Sequence, residues 1–154
     1  MVLRAPRKIA QSEPSVVRQE RAINKQTVQE LLLAAVQKHA DARLPKLSDP
    51  TKLEAAYDAV LFCALAVFAS QGYRVSSAPG HHRLALEGLA ATLKFKQSVF
   101  DEILLLLDVR NTKYTGFVRV KPADLKLAQS LAEKALNETN HWLTVHHPDL
   151  LKKP

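Results

Sequence analysis

VFDEILLLLDVRNTKYTG, residues 99–116, is the stretch that decides the predicted fold. Wound at about 100° per residue, it places apolar residues on one side of a helix, and Asn111 and Tyr114 continue that stripe. Arg110 falls at the edge of the same stripe. The apolar members of the stripe are Phe100, Ile103, Leu104 and Leu107. The sequence therefore predicts an apolar helix that ends in a polar cluster of Arg110, Asn111 and Tyr114.

Two interpretations of this polar cluster remain open from the sequence. A guanidinium beside a phenol and an amide at the end of a buried helix is suited to binding phosphate or stacking on a base. In the second interpretation, Arg110 and Tyr114 only cap the helix and satisfy nearby carbonyl groups.

Length and charge set the outer limits of the prediction. The chain has 154 residues, of which 47% are hydrophobic, enough for one domain with a sizeable core. Its 22 Lys and Arg exceed 15 Asp and Glu, a net charge of +7, which favours a polyanionic partner unless it serves solubility alone. We expect a flexible basic arm over residues 1–15, a single helical-bundle domain over 16–148 and a flexible tail over 149–154.

Cysteine content and hydropathy indicate the compartment. The single Cys63 excludes an intramolecular disulfide, and its apolar neighbours favour a buried small residue. The longest apolar run, residues 59–69, is shorter than the roughly 20 residues that a membrane-spanning helix needs. The N-terminal 14 residues lack the apolar segment of a secretory signal. A cytoplasmic location without membrane contact is the resulting expectation.

Periodicity and end signals predict the helices. Thr27 and Glu30 suit a capping box, Asp49 before Pro50 suits a helix start, Gly72 suits a helix stop, and Pro122 opens the last helix. No alternating strand pattern of useful length is present. The predicted fold is all-α, a five-helix up-and-down bundle with helices at about 24–42, 49–72, 81–93, 96–116 and 122–148.

Sequence patterns for cofactor and metal chemistry are absent. The chain has no glycine-rich phosphate loop, no HExxH, no GxSxG and no paired-cysteine pattern. His81 and His82 are adjacent and so point about 100° apart on a helix, and no cysteine or carboxylate stands at ligand spacing. We therefore predict no cofactor and no metal.

Three quoted segments together resemble a known family. A long apolar helix ends at GYR (72–74), a loop leads into GHHRLALEGL (80–89), and ILLLLDVRNTKYTG (103–116) precedes a final helix. This order resembles the HEPN superfamily of helical bundles over about residues 49–147.

The resemblance implies both an assembly and an activity. HEPN proteins commonly form homodimers whose motif helices line a shared cleft, and many are metal-independent endoribonucleases of toxin-antitoxin or defence systems. Their motif is an arginine followed, after four to six residues, by a histidine. Arg110 matches the arginine and Asn111 the polar residue often found after it. The histidine has no counterpart, because residues 115–117 are Thr, Gly and Phe and Tyr114 comes earlier.

Two functional hypotheses follow. In the first, a homodimer binds RNA or another phosphate ligand in a cleft with Arg110, Asn111 and Tyr114, which are the candidate catalytic residues for slow cleavage of RNA. Lys113, Arg119 and Lys121 are the candidates for further RNA contacts. In the second, the bundle is a non-catalytic interaction module for an antitoxin or a nucleotidyltransferase.

Overall fold

The computed structural model describes residues 2–112 and 119–153 and shows a mostly helical protein, as predicted. Two short helices and a two-stranded sheet, absent from the predicted five-helix bundle, accompany the long helices. The helices are α1 (Pro6–Ser12), α2 (Lys25–Asp41), α3 (Asp49–Ser70), α4 (His81–Thr92), α5 (Gln97–Thr112), α6 (Pro122–His146) and α7 (Pro148–Leu151), and the strands are β1 (Val17–Gln19) and β2 (Tyr73–Val75).

The ends of α3 follow from local chemistry. Its N-cap is Ser48, whose hydroxyl accepts a hydrogen bond from the Thr51 amide, and Pro50 lies in the first turn. The sequence placed the capping carboxylate one residue later, at Asp49. Gly72 follows the helix with a φ of 84°, which confirms it as the residue that ends α3.

α3 is the core helix. It packs most extensively against α2 and α6 and also contacts α4, α5 and β2. Cys63, midway along it, is fully buried, as its apolar neighbours indicated. Because the middle of α3 is surrounded by other elements, a buried polar side chain there must find a partner inside the protein.

α3 also meets the length and composition expected of a membrane-spanning helix. It has 22 residues with a mean hydropathy of 1.6 in its most apolar window, and it alone does so among the described residues. Within the protein, 67% of that window is buried. A core helix of a globular domain has the same properties.

The start of α2 differs from the predicted capping box. Asn24 caps the helix by accepting a hydrogen bond from the Thr27 amide at 3.1 Å. Thr27 is therefore inside the helix, and Glu30 accepts a hydrogen bond from Gln26 instead of reaching back to a cap. The prediction of Thr27 as N-cap is wrong because Asn24, three residues earlier, is as good a capping residue.

The N-terminal segment is packed where a flexible arm was expected. Ile9 on α1 is fully buried, and Arg4 forms an ion pair with Glu87 of α4 at 2.7 Å. The expectation of a mobile arm depended on weak apolar periodicity. A helix of seven residues needs only one or two apolar anchors, which is too few to give a periodic signal.

A small sheet joins the N-terminal segment to the end of α3. β1 pairs antiparallel with β2, with Val17 opposite Val75 and Gln19 opposite Tyr73. Beneath it, Ile9, Val17 and Phe68 belong to a second apolar cluster. Each strand has three residues, too few for the alternation by which a strand is recognised in a sequence, so residues 73–75 were expected to be loop.

The C-terminal segment is also docked. α6 begins at Pro122 and ends at His146, just before Pro148, as predicted. α7 follows, and its Leu150 is buried. The Gln29 side-chain amide on α2 donates hydrogen bonds to the carbonyls of Leu150 and Lys152 at 3.0 and 2.9 Å. This part of the chain therefore differs from the flexible tail expected over 149–154.

Candidate functional site

Arg110 lies in the last turn of α5. The helix is anchored by Phe100, Ile103 and Leu106, which are buried. Arg110 follows Leu106 by four residues and so lies on the same side of the helix, where it is partly exposed. A cation in this position also interacts favourably with the C-terminal end of the helix dipole.

The Arg110 guanidinium contacts an aromatic ring from the core helix. Its central carbon lies 5.4 Å from the centroid of the Tyr57 ring of α3, within the range of a cation–π interaction. One of its terminal nitrogens donates a hydrogen bond to the Asn111 side-chain oxygen at 3.1 Å. The ring and the amide together hold the guanidinium plane in a defined position.

Tyr57 connects Arg110 to His82. The Tyr57 side chain is fully buried, and its hydroxyl oxygen lies 2.7 Å from Nδ1 of His82 in the first turn of α4. Burial raises the pKa of Tyr57 well above its ordinary value, although the positive charge of Arg110 opposes the shift. The phenol therefore keeps its proton at physiological pH.

His82 is partly exposed and is held in place by two rings. It stacks on Tyr57 with ring centroids 5.7 Å apart, and the His81 ring meets it edge-on at 4.3 Å. Burial lowers the pKa of His82, and the charges of His81 and Arg110 lower it further. Since its ordinary value is already near 6.5, His82 is neutral at pH 7.

A carboxylate completes this group of side chains, which we call the α3–α5 cluster: Tyr57, Asp58, His82 and Arg110. Asp58 is partly buried and pairs with Lys38 of α2 at 3.5 Å. Burial raises the pKa of Asp58, whereas Lys38 and Arg110 act in the opposite direction. The cluster therefore combines a cation, a neutral imidazole, a protonated phenol and a carboxylate that already has a cationic partner.

The structure places some of the residues predicted from the sequence together and others apart. Arg110 and Asn111 are in contact, but Asn111 is exposed and does not continue the buried stripe as predicted. Arg119 and Lys121 are exposed just ahead of α6. Lys113 and Tyr114 lie outside the described residues.

Sequence reasoning missed Tyr57 and His82 as members of the site. From the sequence, Tyr57 is not singled out, and His82 is considered only as a metal ligand. A signal for Tyr57 did exist: it falls on the apolar stripe of α3, and a buried phenol needs a hydrogen-bond partner. Its partner could not be named, because 25 residues and a loop separate it from His82.

A second basic surface lies elsewhere on the protein. A hollow of about 710 Å³ between α1 and β1 is lined by Arg7, Arg18, Gln11 and Tyr73 among others. Tyr73 follows the C-terminal end of α3, whereas Tyr57 lies 16 residues earlier in the chain. This hollow is therefore at the other end of the core helix and is the natural comparison for any anion-binding test.

Metal binding has no support in the described part of the chain. Within residues 2–112 and 119–153, no group of three or more His, Cys, Asp or Glu side chains is arranged to hold a metal ion. His82 faces a histidine, a tyrosine and an arginine, which do not form such a set.

Comparison with known proteins gives no match: neither a protein-family model nor a curated protein nor a solved structure is significantly similar to this chain. The class established by the fold is that of a mostly helical bundle with a small two-stranded sheet. The function is therefore inferred from the side chains of the α3–α5 cluster.

Proposed function

We propose that this protein is a HEPN-like RNA-associated protein that holds a backbone phosphate of RNA with Arg110. The observation that carries the proposal is the placement of Arg110, partly exposed in the last turn of α5 with its guanidinium over the Tyr57 ring. A guanidinium suits this ligand because its planar fork of N–H donors matches the geometry of phosphate oxygens. The net charge of +7 supports a polyanionic ligand.

In this proposal the neighbouring residues have separate roles. Asn111 orients the guanidinium through the hydrogen bond that it accepts. Lys113 and Tyr114, which follow α5 in the sequence, are proposed as further RNA contacts, together with Arg119 and Lys121. These flanking cations add affinity that does not depend on RNA sequence and that weakens with salt.

The same site is proposed to support metal-independent cleavage of RNA in a toxin-antitoxin or defence system. In such a reaction the 2′-hydroxyl attacks the adjacent phosphorus while the bond to the 5′-oxygen breaks, and the proton of the 2′-hydroxyl passes to a base as the leaving oxygen gains one. Arg110 would stabilise the charge on the pentacoordinate phosphorus.

A homodimer is part of the proposal, and α5 supplies the argument. Leu105 in the middle of α5 is 48% exposed, and Leu104 and Leu107 beside it are only partly buried. α5 also packs less extensively on the rest of the protein than α2 or α6 does. A second copy that covers this face would form a dimer through α5, the helix that carries Arg110.

Light scattering at micromolar concentration tests the dimer. We expect the wild-type protein to be dimeric and Leu105→Glu to be monomeric, because a buried carboxylate at the interface is strongly unfavourable. Leu33→Glu on α2, where Leu33 is 57% exposed, is the matched control and should remain dimeric. A strictly monomeric wild-type protein would exclude a shared cleft.

A second candidate function is a non-catalytic interaction module, and α2 favours it. Leu33 and Val36 are 57% and 48% exposed and lie three residues apart, hence on one face. An antitoxin or a nucleotidyltransferase is the proposed partner. The test is reconstitution with the product of the neighbouring reading frame: loss of the complex in Leu33→Glu but not in Leu105→Glu would support this candidate.

RNA binding is tested by fluorescence anisotropy with a labelled single-stranded RNA pool over a series of salt concentrations. Arg110→Ala should weaken binding about tenfold and reduce the salt slope by about one, because a charge-assisted phosphate contact is lost. Arg18→Ala in the hollow between α1 and β1 is the control and should bind like the wild type. If Arg110→Ala binds like the wild type, the proposed function is wrong.

A gel assay of the same pool tests cleavage. If the protein cuts RNA without divalent metal, Arg110→Ala should abolish the products while circular dichroism shows a folded protein. Products that persist in Arg110→Ala would assign the cutting to another site or to a contaminant.

A further inference from the structure

His82 joins the side chains around Arg110 from a different helix. The motif helix α5 supplies Arg110 but no histidine at the expected spacing, and α4 brings an imidazole to the same group through Tyr57. The two contacts share one aromatic ring: Arg110 lies over it, and His82 stacks on it and bonds to its hydroxyl. Arg110 and His82 therefore belong to one site although they come from different helices.

The hydrogen bond to Tyr57 determines which nitrogen of His82 carries hydrogen. The phenol remains protonated, and its O–H needs an acceptor because the side chain is fully buried. In the described part of the chain, the acceptor within hydrogen-bond distance is Nδ1 of His82, at 2.7 Å. With Nδ1 accepting, the hydrogen of the neutral ring is on Nε2, the nitrogen not engaged by Tyr57.

The groups facing His82 come from three helices. α3 contributes Tyr57, α4 contributes His81, and α5 contributes Arg110. Asp58 is paired with Lys38 and so does not offer His82 an uncompensated negative charge. Nothing in this set favours an imidazolium at neutral pH, and protonation of Nδ1 would deprive the buried Tyr57 O–H of its acceptor.

We propose that His82 is the second phosphate-binding group of the Arg110 site and that its neutral ring donates Nε2–H to a non-bridging oxygen of an RNA phosphodiester. The inference rests on the proposed function, since it uses the phosphate that Arg110 holds. A phosphodiester carries one negative charge, which Arg110 neutralises. A neutral donor beside Arg110 orients the phosphate through a directional hydrogen bond, without the repulsion that a second cation would have with Arg110.

Tyr57 is the positioning residue in this arrangement. It fixes the tautomer of His82 from one edge of the ring and supports Arg110 through its face. Tyr57→Phe keeps the aromatic face and removes only the hydroxyl. The variant should therefore retain the Arg110 contact while releasing Nδ1 of His82, whose pKa should then rise.

Nitrogen-15 NMR of the histidine side chains tests the tautomer in the protein without RNA, with the His82 signals assigned from their loss in His82→Gln. We expect the neutral Nε2–H tautomer at pH 7. In Tyr57→Phe we expect a mixture of tautomers and a titration at higher pH. A cationic ring or an Nδ1–H tautomer in the wild type at pH 7 overturns the proposal.

Anisotropy with a labelled single-stranded RNA measures the contribution of His82 to binding. His82→Leu should weaken binding about fivefold to tenfold, the loss of one hydrogen bond to a charged group. His82→Gln should retain most of the affinity, because its amide N–H can take the place of Nε2–H. His141→Leu, an exposed position on α6, is the matched control and should bind like the wild type. Retained affinity in His82→Leu, or equal loss in His82→Gln and His82→Leu, refutes a donor role.

A pH series adds a readout that a purely structural role would not change. Relative to the wild type, Tyr57→Phe should gain more affinity as the pH falls, because its released His82 becomes protonated at a higher pH than His82 of the wild type does. If RNA affinity changes with pH in the same way in the wild type and in Tyr57→Phe, Tyr57 does not control the protonation of His82. If Arg110→Ala weakens binding and the His82 variants do not, this inference alone fails; if Arg110→Ala also has no effect, the proposed function fails.

Discussion

The ion pair between Arg4 and Glu87 provides the sharpest stability prediction, because it holds the N-terminal segment on α4. Glu87 accepts three hydrogen bonds from Arg4: from the backbone amide at 2.9 Å, from Nε at 2.7 Å and from a terminal nitrogen at 3.1 Å. The Glu87 side chain is only 6% exposed. Arg4→Ala removes two of the three bonds and leaves a buried carboxylate without its cation.

The size of the expected loss of stability follows from how deeply the Arg4 and Glu87 side chains are buried. Breaking a fully buried pair costs about 3–5 kcal/mol. The Arg4 side chain is 34% exposed, so water can approach Glu87 once the guanidinium is gone, and the loss is smaller. We expect a decrease of about 2 kcal/mol in the free energy of unfolding at pH 7.

Arg43→Ala is the matched control. Arg43 pairs with Glu133 at 3.2 Å, but the two side chains are 48% and 57% exposed. Its loss should change the free energy of unfolding by less than about 0.5 kcal/mol. Urea denaturation followed by circular dichroism measures the stability of both variants. Equal losses of stability would show that the burial of Glu87 does not make its ion pair more important than the exposed one.

The pH dependence gives a second, independent reading of the Arg4 and Glu87 pair. Burial by itself raises the pKa of Glu87, but the bonds from Arg4 more than compensate and lower it below its ordinary 4.5. The wild type therefore has this stabilisation above pH 4.5 and loses it as the pH falls through the lowered pKa. In Arg4→Ala the effect of burial on Glu87 is opposed far less, so the pKa of Glu87 rises above its ordinary value. The variant then loses stability as the pH rises, because the buried carboxyl group becomes charged without its cation. The difference in the free energy of unfolding between wild type and variant should thus become smaller below about pH 4. A difference that stays constant with pH would show that Glu87 is not the group responsible.

Two further variants test the packing and the caps. Gly88→Ala should lower the free energy of unfolding by about 1–3 kcal/mol in urea denaturation, because the added Cβ would overlap the Phe68 ring; an unchanged midpoint would show that the ring moves aside freely. Ser48→Ala should cost about 1 kcal/mol and lower the melting temperature by about 2–4 °C, because the Thr51 amide loses its capping acceptor; a melting temperature equal to that of the wild type would place the start of α3 elsewhere.

The long helices were predictable because their signals are local. The apolar run of α3, the left-handed Gly72 and Pro122 at the start of α6 each act through neighbours in the sequence. α1 and the two strands were not predictable, since Ile9 and Val17 are buried only by contact with distant residues such as Phe68. A three-residue strand has no periodicity of its own.

The candidate site was predictable only in part, for the same reason. The sequence placed Arg110 at the end of an apolar helix, and the structure agrees. It could not show that Tyr57 and His82 would meet Arg110, because the three residues come from three helices and their approach depends on how those helices pack. The aromatic ring described beside Arg110 belongs to Tyr57; the predicted partner, Tyr114, lies outside the described residues.

An NMR titration of the labelled protein with a short single-stranded RNA locates the binding surface and so shows whether RNA is held at the α3–α5 cluster. If RNA binds there, the largest chemical-shift changes occur at the Arg110 Nε–H and at the His82 ring, with little change at Arg18. Shifts that are largest at Arg7 and Arg18, with Arg110 and His82 unaffected at saturating RNA, would contradict binding at the cluster.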